Sequence, residues 1–147
     1  MGAPLVVMAE RKSRGVVAQL IRNRKAAEVT AALTCMLLPL KDSCPTITFG
    51  SGKECAGHEI IGGALQAGIY FAHPYRAWER GMDENSIRLL RQYFPRGKTF
   101  TNVSSEQVRY AVDHLNHRPR KVLGFWDGLH NSVLELEGLL KSVTYKL

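Results

Sequence analysis

The sequence predicts one α/β domain built on a mixed β-sheet, and three observations carry that prediction. The apolar patterns read β-β-α-β-α-β-α-α along the 147 residues, and such alternation is typical of a mixed α/β domain. Apolar residues make up 45% of the chain, which is enough to bury a globular core. Only a short polar turn separates the first two β-type runs, which indicates an antiparallel hairpin.

The first half of the chain supplies this hairpin and a long helix. Residues 5–9 and 16–21 are runs of β-type residues on either side of a polar, basic turn. From Ala26 onward the apolar residues recur at helical spacing, and Pro39 ends the helix because it lacks a backbone N–H. We therefore expect two antiparallel strands followed by one helix.

The middle of the chain alternates short strands with helices. Thr46–Phe49 is the third β-type run, and residues 54–66 follow with a helical pattern that a pair of glycines weakens by about 1 kcal/mol each. A fourth strand at 69–71 leads into a loop, and a further helix covers residues 83–93. Strand ends and helix starts of this kind meet at one edge of an open α/β sheet, where chemistry usually occurs.

The remaining chain is predicted to be helical. Ser104 and Gln107 have the spacing of a capping box, which opens a helix that ends before Pro119. From Leu129 to Val143 the apolar residues recur at spacings of four and three, which is the pattern of a short helical seam. Two heptads are short for a coiled coil, so docking on the chain's own core is favoured over pairing between chains.

The charge balance favours a polyanionic partner. The chain has 20 Lys and Arg residues against 13 Asp and Glu residues, a formal net charge of +7; a basic protein without such a partner is the alternative. Three cysteines without disulfide-framework spacing suit a reducing cytoplasm. The apolar run at residues 30–40 is shorter than the roughly 20 residues of a membrane helix, and no secretory signal is evident. We therefore expect a cytoplasmic protein with no membrane partner.

Three groups of residues are candidates for a functional site. Glu84 lies in the first turn of its helix, where it can ligate a metal ion or simply favour the helix dipole. The loop at 74–81 interleaves arginines with aromatic residues, which can contact phosphates and stack on bases, or pack together as a turn. Residues 116–121 form a basic segment at a helix end, where cations also compensate the helix dipole. Further cations at 11–14 and 22–25 add to the positive field.

Several short motifs in these segments match one family in order. The chain resembles the catalytic core of bacterial insertion-sequence transposases of the IS-thirty type, which belong to the retroviral-integrase group of DDE enzymes. The resemblance covers about residues 2–125, a partial core, and leaves residues 126–147 as a divergent helical tail. The matching blocks are Glu10-Arg11-Lys12-Ser13-Arg14, Thr46-Ile47-Thr48 with Gly52-Lys53-Glu54, Tyr70-Phe71-Ala72 with Pro74-Tyr75, Trp78-Glu79-Arg80-Gly81 with Glu84-Asn85, Leu89-Leu90-Arg91-Gln92-Tyr93-Phe94-Pro95, and Leu115-Asn116-His117-Arg118-Pro119-Arg120-Lys121 with Leu123-Gly124-Phe125.

The resemblance implies an RNase H-like fold, with a mixed sheet flanked by helices, and the apolar spacing of the tail adds an extra C-terminal helix. It also implies DNA strand cleavage and transfer with two Mg²⁺ ions held by three carboxylates. Glu84 matches the third carboxylate, which makes it the expected catalytic residue and metal ligand, and Gly50 stands where the family has the second. Because Met1 opens on what matches the second strand, the first, central strand and its carboxylate are expected to be missing. The residues expected to bind DNA are Arg76, Trp78, Arg80, Asn85, Arg118, Arg120 and Lys121.

These departures from the family pattern predict a catalytically incomplete chain. One glutamate cannot hold two Mg²⁺ ions for an in-line displacement, so Mg²⁺ is not expected to bind productively. Glu54 and Asp42 lie near the missing position in the sequence, but neither is at the strand end. Without the central strand two apolar sheet edges are unpaired, which predicts marginal stability, self-association or an altered register that closes the gap.

Three functional readings follow from the sequence. The first is a transposase-type core for DNA transposition that is incomplete in this chain. The second is a non-catalytic module that binds DNA or inhibits an intact transposase, in homo-oligomers or in hetero-oligomers with that transposase. The third is a core to which an upstream segment supplies the first Asp.

Overall fold

Five strands and four α-helices make up the part of the chain that the structure describes. The computed structural model describes residues 4–11, 14–50, 52–73, 81–95, 103–119, 121, 124 and 143–146, with 81–83 and 143–146 described by their backbone. The elements are β1 (Leu5–Glu10), β2 (Val16–Leu20), α1 (Ala26–Leu37), β3 (Thr46–Phe49), α2 (His58–Leu65), β4 (Gly68–Phe71), α3 (Gly81–Tyr93), α4 (Ser105–Asn116) and β5 (Val143–Lys146), with 3-10 helices at Leu38–Ser43 and Lys53–Cys55.

The five strands form one sheet in the order β2-β1-β5-β3-β4. β1 is antiparallel to β2, with Leu5 opposite Leu20, which confirms the predicted hairpin. β3 is parallel to β4, with Thr46 opposite Gly68. The sheet is therefore mixed, with an antiparallel hairpin on one side and a parallel pair on the other.

β5 lies in the centre of this sheet. It is antiparallel to β1, with Lys146 opposite Val7, and parallel to β3, with Val143 opposite Ile47. The prediction of a helical tail is therefore wrong at Val143, while residues 126–142 and 147 of that tail lie outside the described part of the chain. Valine, threonine and tyrosine favour extended backbone, and the buried backbone groups of β1 and β3 require ladder partners. The expected gap is thus filled by a strand from later in the sequence, whereas the domain boundary at residue 125 stays a prediction.

Helices cover both faces of the sheet. Successive residues of β1 point to opposite faces, so each face of β1 packs against a different pair of helices. Val6 and Met8 pack in a core with α1 and α2, and Val7 and Ala9 pack in a second core with α3 and α4. β1, the neighbour of β5, is therefore packed on both of its faces. Other buried members are Leu33, Ile47, Phe49, Ile61 and Leu65 in the first core, and Val16, Leu90, Ala111 and Leu115 in the second.

Helix starts follow local signals, with two shifts. The capping box of α4 is confirmed: the Gln107 N–H donates to Ser104 Oγ at 3.2 Å, and the Ser104 N–H donates to Gln107 Oε1 at 3.0 Å. α2 begins at His58, four residues later than predicted, because Lys53–Cys55 forms a separate 3-10 turn. α3 begins at Gly81, two residues earlier than predicted.

Candidate functional site

Three parallel strands end at one edge of the sheet, which we call the carboxyl edge. β3 ends at Phe49 and is followed by Gly50, β4 ends at Phe71, and β5 ends at Lys146. The Ala72 N–H donates a hydrogen bond to the Phe49 carbonyl at 2.8 Å, so β3 and β4 stay together up to this edge. Ligands of open α/β sheets usually bind there.

Gly50 stands at this edge without a carboxylate. Thr48 is level with Thr144 in the parallel pair of β3 and β5, so the register brings Gly50 level with Lys146 two residues further on. Neighbouring strand ends therefore bring a glycine and a lysine to the place where the resemblance puts the second carboxylate. That Gly50 replaces a catalytic Asp stays a prediction; its position at the strand end is what the structure supplies.

One carboxylate folds back toward the carboxyl edge. A Cβ added at Gly52 would collide with the Glu54 carboxylate, so that carboxylate lies directly against the backbone shortly after β3. Burial and, to a smaller extent, the negative charge of Glu54 raise the pKa of the Cys55 thiol to about 11. Sequence reasoning set Glu54 aside because it is not at the strand end. The Gly-x-Glu spacing is the signal that could have found it, since glycine leaves room for the carboxylate.

Glu84 is exposed in the first turn of α3, as its sequence position predicts. The Tyr93 ring centroid lies 6.4 Å from that of His114, which brings the end of α3 to the end of α4. Glu84 lies nine residues before Tyr93, which is about 13 Å along the helix axis. It is therefore at the start of α3, away from the contact between Tyr93 and His114. Among the described residues no group of three His, Cys, Asp or Glu side chains could hold a metal ion. Metal ligation by Glu84 therefore stays a prediction.

Asn85, the next residue, has a partner on its own helix. The Arg88 guanidinium donates a hydrogen bond from Nη2 to Asn85 Oδ1 at 3.0 Å, and both side chains are exposed. The pair presents a cation and an amide on the surface of α3. Of the other residues predicted to bind DNA, Arg118 and Lys121 are exposed after α4, and Arg76, Trp78, Arg80 and Arg120 lie outside the described residues.

Arg118 follows a buried hydrogen-bonded pair that joins α4 to β2. Asn116 is 9% exposed; its Oδ1 accepts from the Val16 N–H and its Nδ2 donates to the Val16 carbonyl, both at 2.8 Å. Val16 starts β2 opposite Ala9, so this contact lies at the hairpin-turn end of the sheet, which we call the turn edge. Sequence reasoning placed Asn116 in a basic surface segment, because nothing local reveals a partner 100 residues away.

The exposed cations divide between these two edges. Residues 22–25 follow β2 at the carboxyl edge, since Leu20 pairs with Leu5 near the start of β1, where Val7 pairs with Lys146. These cations were predicted to add to one positive field. The described ones instead form two surfaces, which lie at opposite ends of the strands. The exposed members are Arg22, Arg24 and Lys25 at the carboxyl edge and Arg11 and Arg118 at the turn edge.

Sequence comparison finds transposases of bacterial insertion sequences. The chain is 37% identical over 121 residues to the transposase for insertion sequence element IS4351 of Bacteroides fragilis, covering 82% of this chain and 37% of that protein. It is 34% identical over 145 residues to the IS1086 transposase of Cupriavidus metallidurans, covering 96% and 41%. It is 31% identical over 122 residues to the transposase InsI for IS30A of Escherichia coli K12, covering 82% and 32%. No protein-family model matches the chain.

The chain thus spans less than half of the length of these relatives. The alignment to the IS1086 transposase covers 96% of the chain, so it continues past residue 125, where the resemblance was expected to end.

The fold comparison agrees with these relatives. The catalytic core domain of BIV integrase superposes with a TM-score of 0.64 over 90% of this chain and 87% of that domain, at 20% identity. The RNase H-like α/β fold predicted from the resemblance is therefore confirmed. Among the described residues, none of the helices combines the length and the apolar character that a membrane span requires. By its sequence matches and its fold, the chain is a homologue of the insertion-sequence transposases of the IS-thirty type, with the architecture of an integrase catalytic core.

Proposed function

We propose that this chain acts in DNA transposition as a DNA-binding core of the transposase type and does not cleave DNA by itself. The observation that carries the proposal is Gly50 at the carboxyl edge, level with Lys146, in a homologue of transposases. Relatives that are transposases make DNA the expected partner, whereas a glycine supplies no side-chain ligand for a metal ion.

Two exposed cationic surfaces support binding to the DNA backbone. The carboxyl edge carries the basic segment at 22–25, and the turn edge carries Arg11 and Arg118, within a chain of net charge +7. Exposed arginine and lysine side chains contact phosphates, which positions a duplex without reading its sequence and makes affinity fall with salt. We therefore expect sequence-tolerant, salt-sensitive binding by this part of the chain.

The described residues at the carboxyl edge do not supply the oxygen ligands that a pair of Mg²⁺ ions requires. Hard divalent cations take several oxygen ligands, and a two-metal site requires carboxylates that converge from different elements. The described residues contain no cluster of three potential ligands, with Gly50 at the position where a carboxylate is expected. No chemical step is therefore assigned to a metal ion in this chain.

The same features favour a second candidate function, inhibition of an intact transposase. A core that binds DNA without cutting it occupies the sites that an active relative requires, and it can also join that relative in mixed oligomers. Gly50 is the observation that favours this reading, because it separates binding from cleavage.

Fluorescence anisotropy with a labelled duplex oligonucleotide, titrated at several salt concentrations, tests the proposal. The logarithm of affinity should fall linearly with the logarithm of salt concentration, with a slope of about −0.9 for each phosphate contacted. Replacing Arg22, Arg24 and Lys25 by alanine should make the slope shallower by roughly 2 to 3 if all three contact phosphate. Absence of binding at low salt would rule the proposal out.

A matched control and a cleavage assay complete this test. Arg109→Ala removes one exposed charge from the middle of α4, away from both edges, and should change the slope less than Arg118→Ala. In a nicking assay with Mg²⁺, the wild-type chain should leave supercoiled DNA intact. Nicking that requires Mg²⁺ and is lost in Glu84→Gln would show that the chain does contain a complete catalytic site.

A further inference from the structure

The slot between β1 and β3 is filled by a strand that is short and remote in sequence. β5 has four residues and is paired at four positions with β1, but at only two with β3. All the other strands in the described sheet come before residue 72. The strand in the centre is therefore the one with the fewest local connections to the rest of the sheet.

Both walls of the slot are buried, so it has to be occupied. Val6, Met8 and Ala9 on the β1 side are at most 1% exposed, and Ile47 and Phe49 on the β3 side are fully buried. An empty slot would leave the N–H and C=O groups of two buried strands without partners, and each such group costs as much as a lost hydrogen bond. It would also create two apolar edges that invite pairing with another chain.

The chain length allows the occupant to come from either of two molecules. Residues 117–142, the 26 residues between α4 and β5, can span up to about 85 Å when fully extended. A compact domain of this size has a radius of gyration of only about 15 Å. The reach of the connection therefore permits β5 to enter its own slot or that of a neighbouring copy.

We infer that the slot between β1 and β3 is a strand-acceptor site whose second occupant is β5 of another copy of this chain. In the exchanged dimer each copy supplies Val143–Lys146 to the other, antiparallel to β1 and parallel to β3. Each carboxyl edge then takes its Lys146, level with Gly50, from the partner, so the candidate site becomes composite. The inference concerns the sheet alone and stands whether or not the chain binds DNA.

A second copy is the favoured occupant because it offers the same strand in the same register. Exchange replaces each ladder hydrogen bond by an identical one, so the balance depends on concentration rather than on new contacts. Covalent linkage to the same chain gives β5 an effective concentration in roughly the millimolar range at its own slot. We therefore expect monomers at micromolar concentration and exchanged dimers when the protein is refolded at concentrations approaching that range.

Mixing two variants that each carry one introduced cysteine tests the inference on the full chain. Thr48 and Thr144 are register partners, and neighbouring strands lie about 4.8 Å apart, which is within the reach of a disulfide. Thr48→Cys and Thr144→Cys, each in a Cys35→Ser background, are unfolded together, refolded at about 0.5 mM and oxidised. A disulfide joining positions 48 and 144 of different molecules, identified by peptide mass spectrometry, is the expected result.

The double variant Thr48→Cys/Thr144→Cys is the matched control. At about 5 μM, far below the effective concentration of its own β5, it should form the same disulfide within one molecule. If the double variant cross-links but the mixture does not, exchange does not occur and the inference is wrong. If neither cross-links, β5 does not occupy the slot, which overturns the inference as well.

A second measurement covers the case in which the cysteine variants fold poorly. Thr144→Pro removes a backbone N–H from the central strand and should lower the thermal unfolding midpoint by several degrees, whereas Thr144→Val keeps the strand. Adding a synthetic peptide with the sequence of residues 142–147 should restore the midpoint of the proline variant. Equal midpoints for the two variants, or no rescue by the peptide, would contradict a strand-acceptor slot.

Discussion

Asn116 and Val16 form a reciprocal hydrogen-bonded pair across 100 residues of sequence, with both bonds 2.8 Å long. β2 is an edge strand of the described sheet, so the N–H and C=O groups of Val16 have no ladder partner on that side. The carboxamide of Asn116 supplies a donor and an acceptor in the spacing of a neighbouring strand. The helix end thereby protects the strand edge and fixes the start of the segment that carries Arg118.

Asn116→Ala should destabilise the fold by about 2–3 kcal/mol, because two buried hydrogen bonds are lost and both backbone groups of Val16 are left without a partner. Chemical denaturation followed by circular dichroism measures the free energy of unfolding. Arg109→Ala, an exposed residue of the same helix, should cost about 0.5 kcal/mol or less. Equal losses in the two variants would show that the pair adds nothing to stability.

Ser104→Ala should cost about 1 kcal/mol, because the capping box satisfies two N–H groups that the first turn of α4 leaves unpaired. The matched substitution is Ser105→Ala, one residue later. Ser105 is the exposed first residue of α4, so the free energy of unfolding should change there by about 0.5 kcal/mol or less. If both variants have the same stability, the cap is not formed in solution.

Two adjacent glycines of α2 should respond differently to replacement by alanine. A Cβ at Gly63 meets no atom within 4 Å, so Gly63→Ala should stabilise the fold by about 0.5–1 kcal/mol through higher helix propensity. A Cβ at Gly62 would lie 2.9 Å from Cγ1 of Ile69, so Gly62→Ala has to displace β4 or its side chain and should gain nothing or destabilise. Thermal unfolding of both variants checks the difference, and equal gains would contradict the close approach of α2 to β4.

Cys35 should be alkylated much faster than Cys44 and Cys55. Burial and, less strongly, Glu10 raise the pKa of the Cys44 thiol to about 11, and Cys55 has a pKa of about 11 for the reasons given above. At pH 8 a thiol of pKa 11 is roughly 0.1% thiolate, against roughly 10% for the ordinary value of 9.0. Cys44 and Cys55 are also buried, so iodoacetamide should modify exposed Cys35 much faster than either of them, as followed by mass spectrometry.

The direction of the pH effect gives a further check on the cysteines. Because only the thiolate is alkylated and the pKa is raised, the rates at Cys44 and Cys55 should continue to rise up to about pH 11. Comparable rates at all three cysteines at pH 8 would show that Cys44 and Cys55 are accessible to solvent.

Features set by neighbouring residues could be predicted from the sequence. The start of α4 follows from the serine and glutamine of its cap, and the hairpin follows from the short turn between two β-type runs. Gly50 could be placed at a strand end because the β-type run Thr46–Phe49 is bounded by Pro45 before it and by two nearby glycines after it. These signals are local, so no knowledge of the tertiary structure is required to interpret them.

Features set by distant partners could not be predicted. Val143 fits a helical seam by spacing, and only the unpaired groups of β1 and β3 make a strand more favourable there. The pairing of Asn116 with Val16 is equally non-local, because the two partners lie 100 residues apart in the sequence.

The central position of β5 also has a consequence for how the protein is made. Val7 and Lys146 are ladder partners roughly 140 residues apart, which raises the contact order and slows folding. A ribosome synthesises β1 and β3 well before β5. The backbone groups of β1 and β3 that pair with β5 therefore have no partner until residues 143–146 emerge. During that interval the open edges of β1 and β3 are exposed to pairing with other chains, which favours aggregation.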